Sequence, residues 1–257
     1  MTTFQIKLIA ITAMVIDHVG LVFFPHILLL RIVGRLAFPL FAWLIANGAY
    51  YSKNTKIYLT RLFLFAVVAQ IPFIFSNRLI DPSFWELNVL FTLFLGLAAI
   101  VLMRKVQNSF TSVLIVVISA LLAEVLNTDY GALGVLAIVV FYLSFKDIKK
   151  MIILQICLFT LFSVIPIGVI ALARVANPVV STLSVTLCPL TWMRVCFKMS
   201  VAIPSNFVVL NLIEPLGLFS LILIAFYGNQ EGWKMKYFFY WFYPMHLVIL
   251  YFIKLFV

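Results

Sequence analysis

Long apolar blocks separated by short polar connectors run from one end of the chain to the other. They fall at about 4–24, 28–50, 57–76, 87–103, 110–127, 129–145, 150–171, 178–197, 205–226 and 237–257. Most approach the ~20 residues that an α-helix needs to cross a bilayer. Inside hydrocarbon every backbone N–H and C=O must bond internally, which leaves only helices or a closed barrel. Barrel strands would alternate apolar and polar positions over segments of ~10 residues, and these blocks do not alternate. The pattern predicts an all-α polytopic membrane protein, one bundle of about ten transmembrane helices spanning 1–257. The eighth block is interrupted by Pro189 and ends in Arg194 and Lys198, so a re-entrant segment and nine spans is the alternative.

Composition agrees. The chain has 257 residues, 65% hydrophobic and 10% charged, where a soluble domain is about half apolar and about a quarter charged. No internal repeat or separate soluble domain is visible. The net charge of +10 sits largely in connectors, so membrane orientation accounts for it and no nucleic-acid partner is expected. Basic connectors (SKNTK, RKVQN, KDIKK) alternate with others (NRLIDPSFWE, NTDY). Lys- and Arg-rich connectors stay in the cytoplasm, which predicts a cytoplasmic N-terminus. With ten spans the connector GNQEGWKMK lies outside; with nine it is cytoplasmic. Lys234 and Lys236 favour nine, Arg194 and Lys198 ten. Cys157, Cys188 and Cys196 have no CxxC spacing, so no disulfide framework is expected. The first block carries Asp17 and His18 and no small-residue cleavage site, and is expected to remain in the protein.

Those two residues are out of place in lipid. An ionisable group at membrane depth costs about 2.5–3.5 kcal/mol on insertion scales and points to function. Others are Arg35, Arg61, Glu124, Glu214 and His246. His18 stands 14 residues past Phe4, roughly 21 Å along the helix. Arg35, 7 residues into the returning helix, is about 10 Å down from the other side. Asp17, His18 and Arg35 therefore share one depth. Neighbouring helix positions do not face each other, so the expected partner of Asp17 is Arg35 rather than His18. Lys7 precedes His18 by 11 residues, about three turns, which puts both on one face about 16 Å apart. That spacing suits an extended cofactor with phosphates at one end and a reactive group at the other. Each feature has a plainer alternative. Lys7 can snorkel to headgroups, Asp17 and Arg35 can be a structural pair, and His18 can make a packed interhelical bond. His26 reads as interfacial, Glu124 and Glu214 as structural, and YFFYWFY at 237–243 as an aromatic belt. Three histidines without ligand spacing predict no metal site.

Six segments, IKLIAITAMVIDHVG, GRLAFPLFAWLIANG, RLFLFAVVAQIPF, LNVLFTLFLG, DYGALGVL and KYFFYWFYPMHLVIL, together resemble the TraX family. They occur in the family's order over nearly the whole chain; the stretch 171–205 carries no recognised motif. The family's named function is acetylation of a conjugative pilin N-terminus. It is similar to a wider group of transmembrane acyltransferases, including polysaccharide O-acetyltransferases and the lysosomal heparan glucosaminide acetyltransferase. The resemblance implies a core of about ten helices in the bacterial inner membrane. It also implies acetyl-CoA delivered from the cytoplasm and an acceptor, pilin or envelope glycan, outside or in the membrane. The polysaccharide branch has arginine eleven residues before its first-helix histidine; here Lys7 precedes His18 by that interval, without arginine's bidentate fork. By resemblance His18 is the catalytic histidine. Arg35, Arg61, Asn88 and His246 are motif residues, with Tyr243 beside His246 near the substrate.

The chemistry implied is acyl transfer. A histidine held neutral by burial takes the proton of the attacking amine or hydroxyl. Asp17 and Arg35 assist it, and Arg35 or Asn88 steadies the oxyanion. Lys7, Lys53, Lys56, Arg61, Arg104 and Lys105 are the candidate binders of CoA phosphates, although orientation alone would also place cations there. Direct transfer and an acyl-histidine intermediate are both open. The competing reading is a transporter or flippase using the buried charges as a relay; a third is an accessory protein of pilus or envelope assembly.

Overall fold

A computed structural model describes residues 1–175 and 213–256. The eighth predicted block, the first part of the ninth, and Cys188, Pro189, Arg194, Cys196 and Lys198 lie outside the described residues. The helices are α1 (Thr3–Phe23), α2 (Leu28–Arg35), α3 (Ala37–Tyr51), α4 (Thr55–Arg78), α5 (Val89–Met103), α6 (Ser109–Val125), α7 (Gly131–Leu143) and α8 (Ile148–Val175). A 3-10 turn (Glu214–Phe219), α9 (Ser220–Ala225) and α10 (Lys236–Phe256) follow. The protein is an all-helical membrane bundle, and the described residues contain only two isolated β-bridges.

Local chemistry sets the helix starts. Thr2 and Gln5 form a reciprocal capping box on α1, which satisfies two N–H groups that no turn of helix can reach. Asn54, Asn88 and Asn108 cap α4, α5 and α6 through their side-chain oxygens. The break between α1 and α2 follows Pro25, which cannot continue the ladder.

Five described segments are long and apolar enough to cross a membrane: Thr3–Phe23, Leu28–Tyr51, Thr55–Arg78, Ile148–Ile165 and Tyr237–Phe256. The blocks predicted at 87–103, 110–127 and 129–145 form helices of 15, 17 and 13 residues. At 1.5 Å per residue, α7 extends only about 20 Å, short of the ~30 Å hydrocarbon core. It can be short because protein surrounds it: Val135, Ala137, Ile138 and Phe141 are fully buried. With α3, whose Leu40, Ala42, Ala46 and Ala49 are also fully buried, it forms the centre. Around them, α4 buries a stripe at Leu62, Ala66, Ala69, Phe73 and Ser76 and leaves Leu64, Val67, Val68, Ile71 and Phe75 exposed. Both faces are apolar because lipid accepts the outer one. Small residues mark the inner face, where they let backbones approach.

The two ends of the bundle are tied by backbone bonds between remote segments. At one, Thr3 N–H donates to Gln230 O (2.8 Å), Phe4 N–H to Glu231 O (3.1 Å) and Gly228 N–H to Met1 O (2.9 Å). At the other, Leu87 N–H donates to Asn127 O and Asp129 N–H to Leu87 O, both 2.9 Å. The connector 226–235 therefore shares a face with the N-terminus, and α10 runs parallel to α1, ending with Lys254 over the Phe23 ring. This corrects the ten-span arrangement, which put that connector on the opposite face; the parity is that of nine spans, as Lys234 and Lys236 suggested.

In a background with Cys157, Cys188 and Cys196 replaced, a cysteine at Asn229 is expected to label from the same side of the membrane as an N-terminal tag. A cysteine at Ser83 should label from the other side. Equal accessibility of both positions from one side would contradict the parity.

Candidate functional site

Two groups of side chains line the seam between α1 and its neighbours. The first is an ionic chain. Asp17 on α1 receives Arg31 Nη1 at 2.7 Å and lies 3.6 Å from Arg35 Nη2. Arg35 Nη1 in turn makes a short ion pair with Glu214 at the start of the 3-10 turn. Four alternating charges thus link α1, α2 and the segment before α9. All are mostly buried, with side chains 11–24% exposed. The expected pairing of Asp17 with Arg35 is present only as the longer contact. Arg31, absent from the sequence reading, is the close partner, and Glu214, read as structural, takes Arg35. The signal was available: Arg31 and Arg35 are four apart on α2, so they share a face.

Glycines make the close approach possible. A Cβ on Gly34 would overlap the Asp17 carboxylate, and one on Gly217 would meet the Arg35 carbonyl oxygen at 2.6 Å. The chain is not saturated, since Arg35 Nε has no hydrogen-bond partner among the described residues.

The second group is a histidine pair. His18 Nδ1 and His246 Nε2 are 2.8 Å apart, and the rings are nearly parallel with centroids 5.0 Å apart. His246 Nδ1 lies 3.0 Å from the Phe242 carbonyl oxygen one turn back on α10. His246 is 6% exposed, whereas His18 is half-buried and keeps accessible surface. Tyr243, also buried, meets the His246 ring edge-on at 5.5 Å. Arg31 and Arg35 are near enough to act electrostatically on His18.

Lys7 and His18 share the α1 face that meets α10: Lys7 Nζ is 5.3 Å from the Phe239 ring centroid, two turns before His246. Lys7 opens onto a cavity of about 290 Å³ whose lining includes Arg61, Asn47, Ser52, Tyr58 and Tyr240. Asn47 is 7% exposed, and its Oδ1 accepts no hydrogen bond among the described residues. The cavity belongs to the N-terminal end of α1, the histidines to the far end.

The other predicted residues divide. Lys53 and Lys56 are exposed beside Ser52, next to the cavity mouth. Arg104 is outside the lining; its Nε donates to Tyr142 Oη at 2.7 Å and its guanidinium lies over that ring. Lys105 follows it, exposed. Asn88 is fully buried and occupied. Its amide donates to Ala66 O (2.8 Å) and Gln70 Oε1 (2.7 Å), while its oxygen caps Leu90 N–H (3.0 Å). A primary amide has two N–H donors, so Asn88 keeps none for an oxyanion and serves to tie α4 to α5. Glu124 forms a short bond with Ala132 N–H at the start of α7, a structural role as expected. Among the described residues no cluster of three metal-ligating side chains occurs.

Removing one member of a buried ion pair leaves the other uncompensated, at about 3–5 kcal/mol. Asp17→Asn and Arg31→Gln should each lower thermal stability strongly, and the double variant should lose less than their sum. Strict additivity in a thermal-shift series would contradict the pairing. Gly34→Ala should push the Asp17 carboxylate away, costing ~1–3 kcal/mol by overpacking.

Comparison with known proteins identifies the family. No solved structure matches the chain. A probable fimbrial assembly protein FimC (serogroup H1) of Dichelobacter nodosus is 37% identical over 142 residues, 51% of this chain and 57% of that protein. An uncharacterized protein of Rickettsia prowazekii is 31% identical over 140 residues, 52% of each chain. The chain thus spans little more than half the length of these two relatives. Protein TraX of Escherichia coli is 28% identical over 187 residues, 71% of this chain and 73% of that one. The family described as TraX protein matches residues 3–254, and with nearly its whole length covered the chain belongs to the TraX family.

Proposed function

We propose that this protein is an integral membrane acyltransferase of a bacterial cytoplasmic membrane, with its N-terminus in the cytoplasm. It moves acetyl from acetyl-CoA to an amine or hydroxyl acceptor, with His18 as general base. The observation that carries this reading is the shared α1 face: a cationic cavity at Lys7 and Arg61 lies about 16 Å, at 1.5 Å per residue, from the imidazole of His18. A thioester cofactor needs these two ends. Its phosphates meet cations, and its reactive carbon lies an arm's length away.

The cavity volume of about 290 Å³ is at the lower edge of the ~300–1,000 Å³ typical of ligand pockets. It suits the pantetheine arm, with the nucleotide held at the mouth near Lys53 and Lys56. Asn47 Oδ1 is an acceptor suited to an amide N–H of that arm. Arg35 Nε–H, which has no partner among the described residues, supports a role in steadying the oxyanion. His18 takes the acceptor's proton as its nitrogen or oxygen attacks the thioester carbon. The C–S bond breaks, and the proton passes to the leaving thiolate. The name of the Dichelobacter relative, a probable fimbrial assembly protein, and the chain's place in the TraX family support a pilin-type chain as acceptor, with an envelope glycan as the other candidate.

Purified protein in nanodiscs should consume acetyl-CoA in the presence of a pilin N-terminal peptide or an amino sugar. His18→Ala should insert normally and lose at least ~10²-fold in turnover. Lys7→Ala and Arg61→Ala should instead raise KM for acetyl-CoA roughly ten-fold or more, the scale of a charge-assisted hydrogen bond at ~1.5–3 kcal/mol. No thioester consumption with any acceptor, together with proton or solute flux that requires Asp17 and His18, would replace this reading with the relay.

A further inference from the structure

The histidine pair contains more information than its proximity. A carbonyl oxygen can only accept a hydrogen bond. His246 Nδ1, 3.0 Å from Phe242 O, must therefore carry a hydrogen. A neutral imidazole with a proton on Nδ1 has a bare Nε2. That bare nitrogen faces His18 Nδ1 at 2.8 Å, so His18 Nδ1 must be the donor. The remaining nitrogen of His18, Nε2, is left with the lone pair. A doubly protonated His246 would reverse the second bond, but it would add positive charge beside a ring on which Arg31 and Arg35 already act electrostatically.

We infer that His246 is a positioning residue: the Phe242 carbonyl and the His246 ring together hold His18 in the Nδ1–H tautomer, so that Nε2 is the atom that takes the proton. The arrangement resembles the logic of a base oriented by a third group, with a helix carbonyl and a second imidazole in place of a carboxylate. The histidine assigned to touch substrate is His18, a half-buried residue, while His246 is enclosed at 6% exposure. The same bare Nε2 serves direct transfer, as base, and an acyl-histidine route, as nucleophile. The catalytic part of the inference rests on the acyltransferase reading; the tautomer does not.

Two variants separate positioning from packing. His246→Gln can put an amide oxygen where Nε2 stood and still accept from His18. His246→Asn is too short for that; its amide reaches the Nδ1 position and keeps only the bond to Phe242. Nitrogen NMR of ¹⁵N-histidine-labelled protein in nanodiscs reads the tautomer directly. Wild-type and His246→Gln protein should show His18 protonated on Nδ1, and His246→Asn should show that preference lost. Turnover of acetyl-CoA should stay within several-fold of wild type in His246→Gln and fall ~10²-fold or more in His246→Asn, the range of a disabled general base. KM for acetyl-CoA should be unchanged in both. Wild-type His18 protonated on Nε2 would overturn the inference, as would equal spectra for the Asn and Gln variants. Expected spectra in a protein that consumes no thioester would leave the ring arrangement standing and remove the acyltransferase reading.

Discussion

The structure depends on neutralising charge at membrane depth. Two guanidiniums and two carboxylates, Arg31, Asp17, Arg35 and Glu214, alternate along one chain of contacts. A lone member would be expensive in a medium that offers no water. In sequence they sit as far apart as Asp17 and Glu214, so satisfying them brings the 3-10 segment against α2. The same requirement fixes Gly34 and Gly217, where any side chain would occupy the space that the charged groups or the backbone need.

Lipid removes the usual hydrophobic drive for helices to associate, so packing rests on close approach and a few polar ties. α4 shows both: Ala66 and Ala69 turn inward, and Gln70 on the same helix accepts from Asn88. α3 and α7 sit where helices surround them on most sides, which lets α7 stop at 13 residues. A helix shielded by protein need not match the thickness of the bilayer.

The seam between α1 and α10 carries the candidate chemistry because the two helices run parallel. Phe4 meets Trp233 just ahead of α10, and along the two helices Lys7 meets Phe239, His18 meets His246 and Phe23 meets Lys254, in one order. A cationic end and an imidazole end are thereby held on rigid elements. The backbone pairing of Thr3 and Phe4 with Gln230 and Glu231 sets that alignment at its start.

The sequence alone determined the class of fold, since runs of apolar residues without alternation can satisfy their backbone in lipid only as helices. It also determined that Lys7 and His18 share a face, because eleven residues is close to three turns of any α-helix, and it marked Asp17, Arg35 and His246 as out of place. It did not determine which charges pair. Arg31 rather than Arg35 holds Asp17 closely, and Arg35 reaches Glu214, because partner choice depends on how helices cross and not on depth along each one. Nor could it fix the face of the connector 226–235, which the backbone bonds to Met1, Thr3 and Phe4 place. Asn88 looked like a donor for chemistry, but tertiary contacts with Ala66 and Gln70 use both its hydrogens. The contact of His18 with His246 needed α10 to run parallel to α1. That orientation follows from connector pairing and interhelical packing, long-range terms that no local pattern of residues encodes.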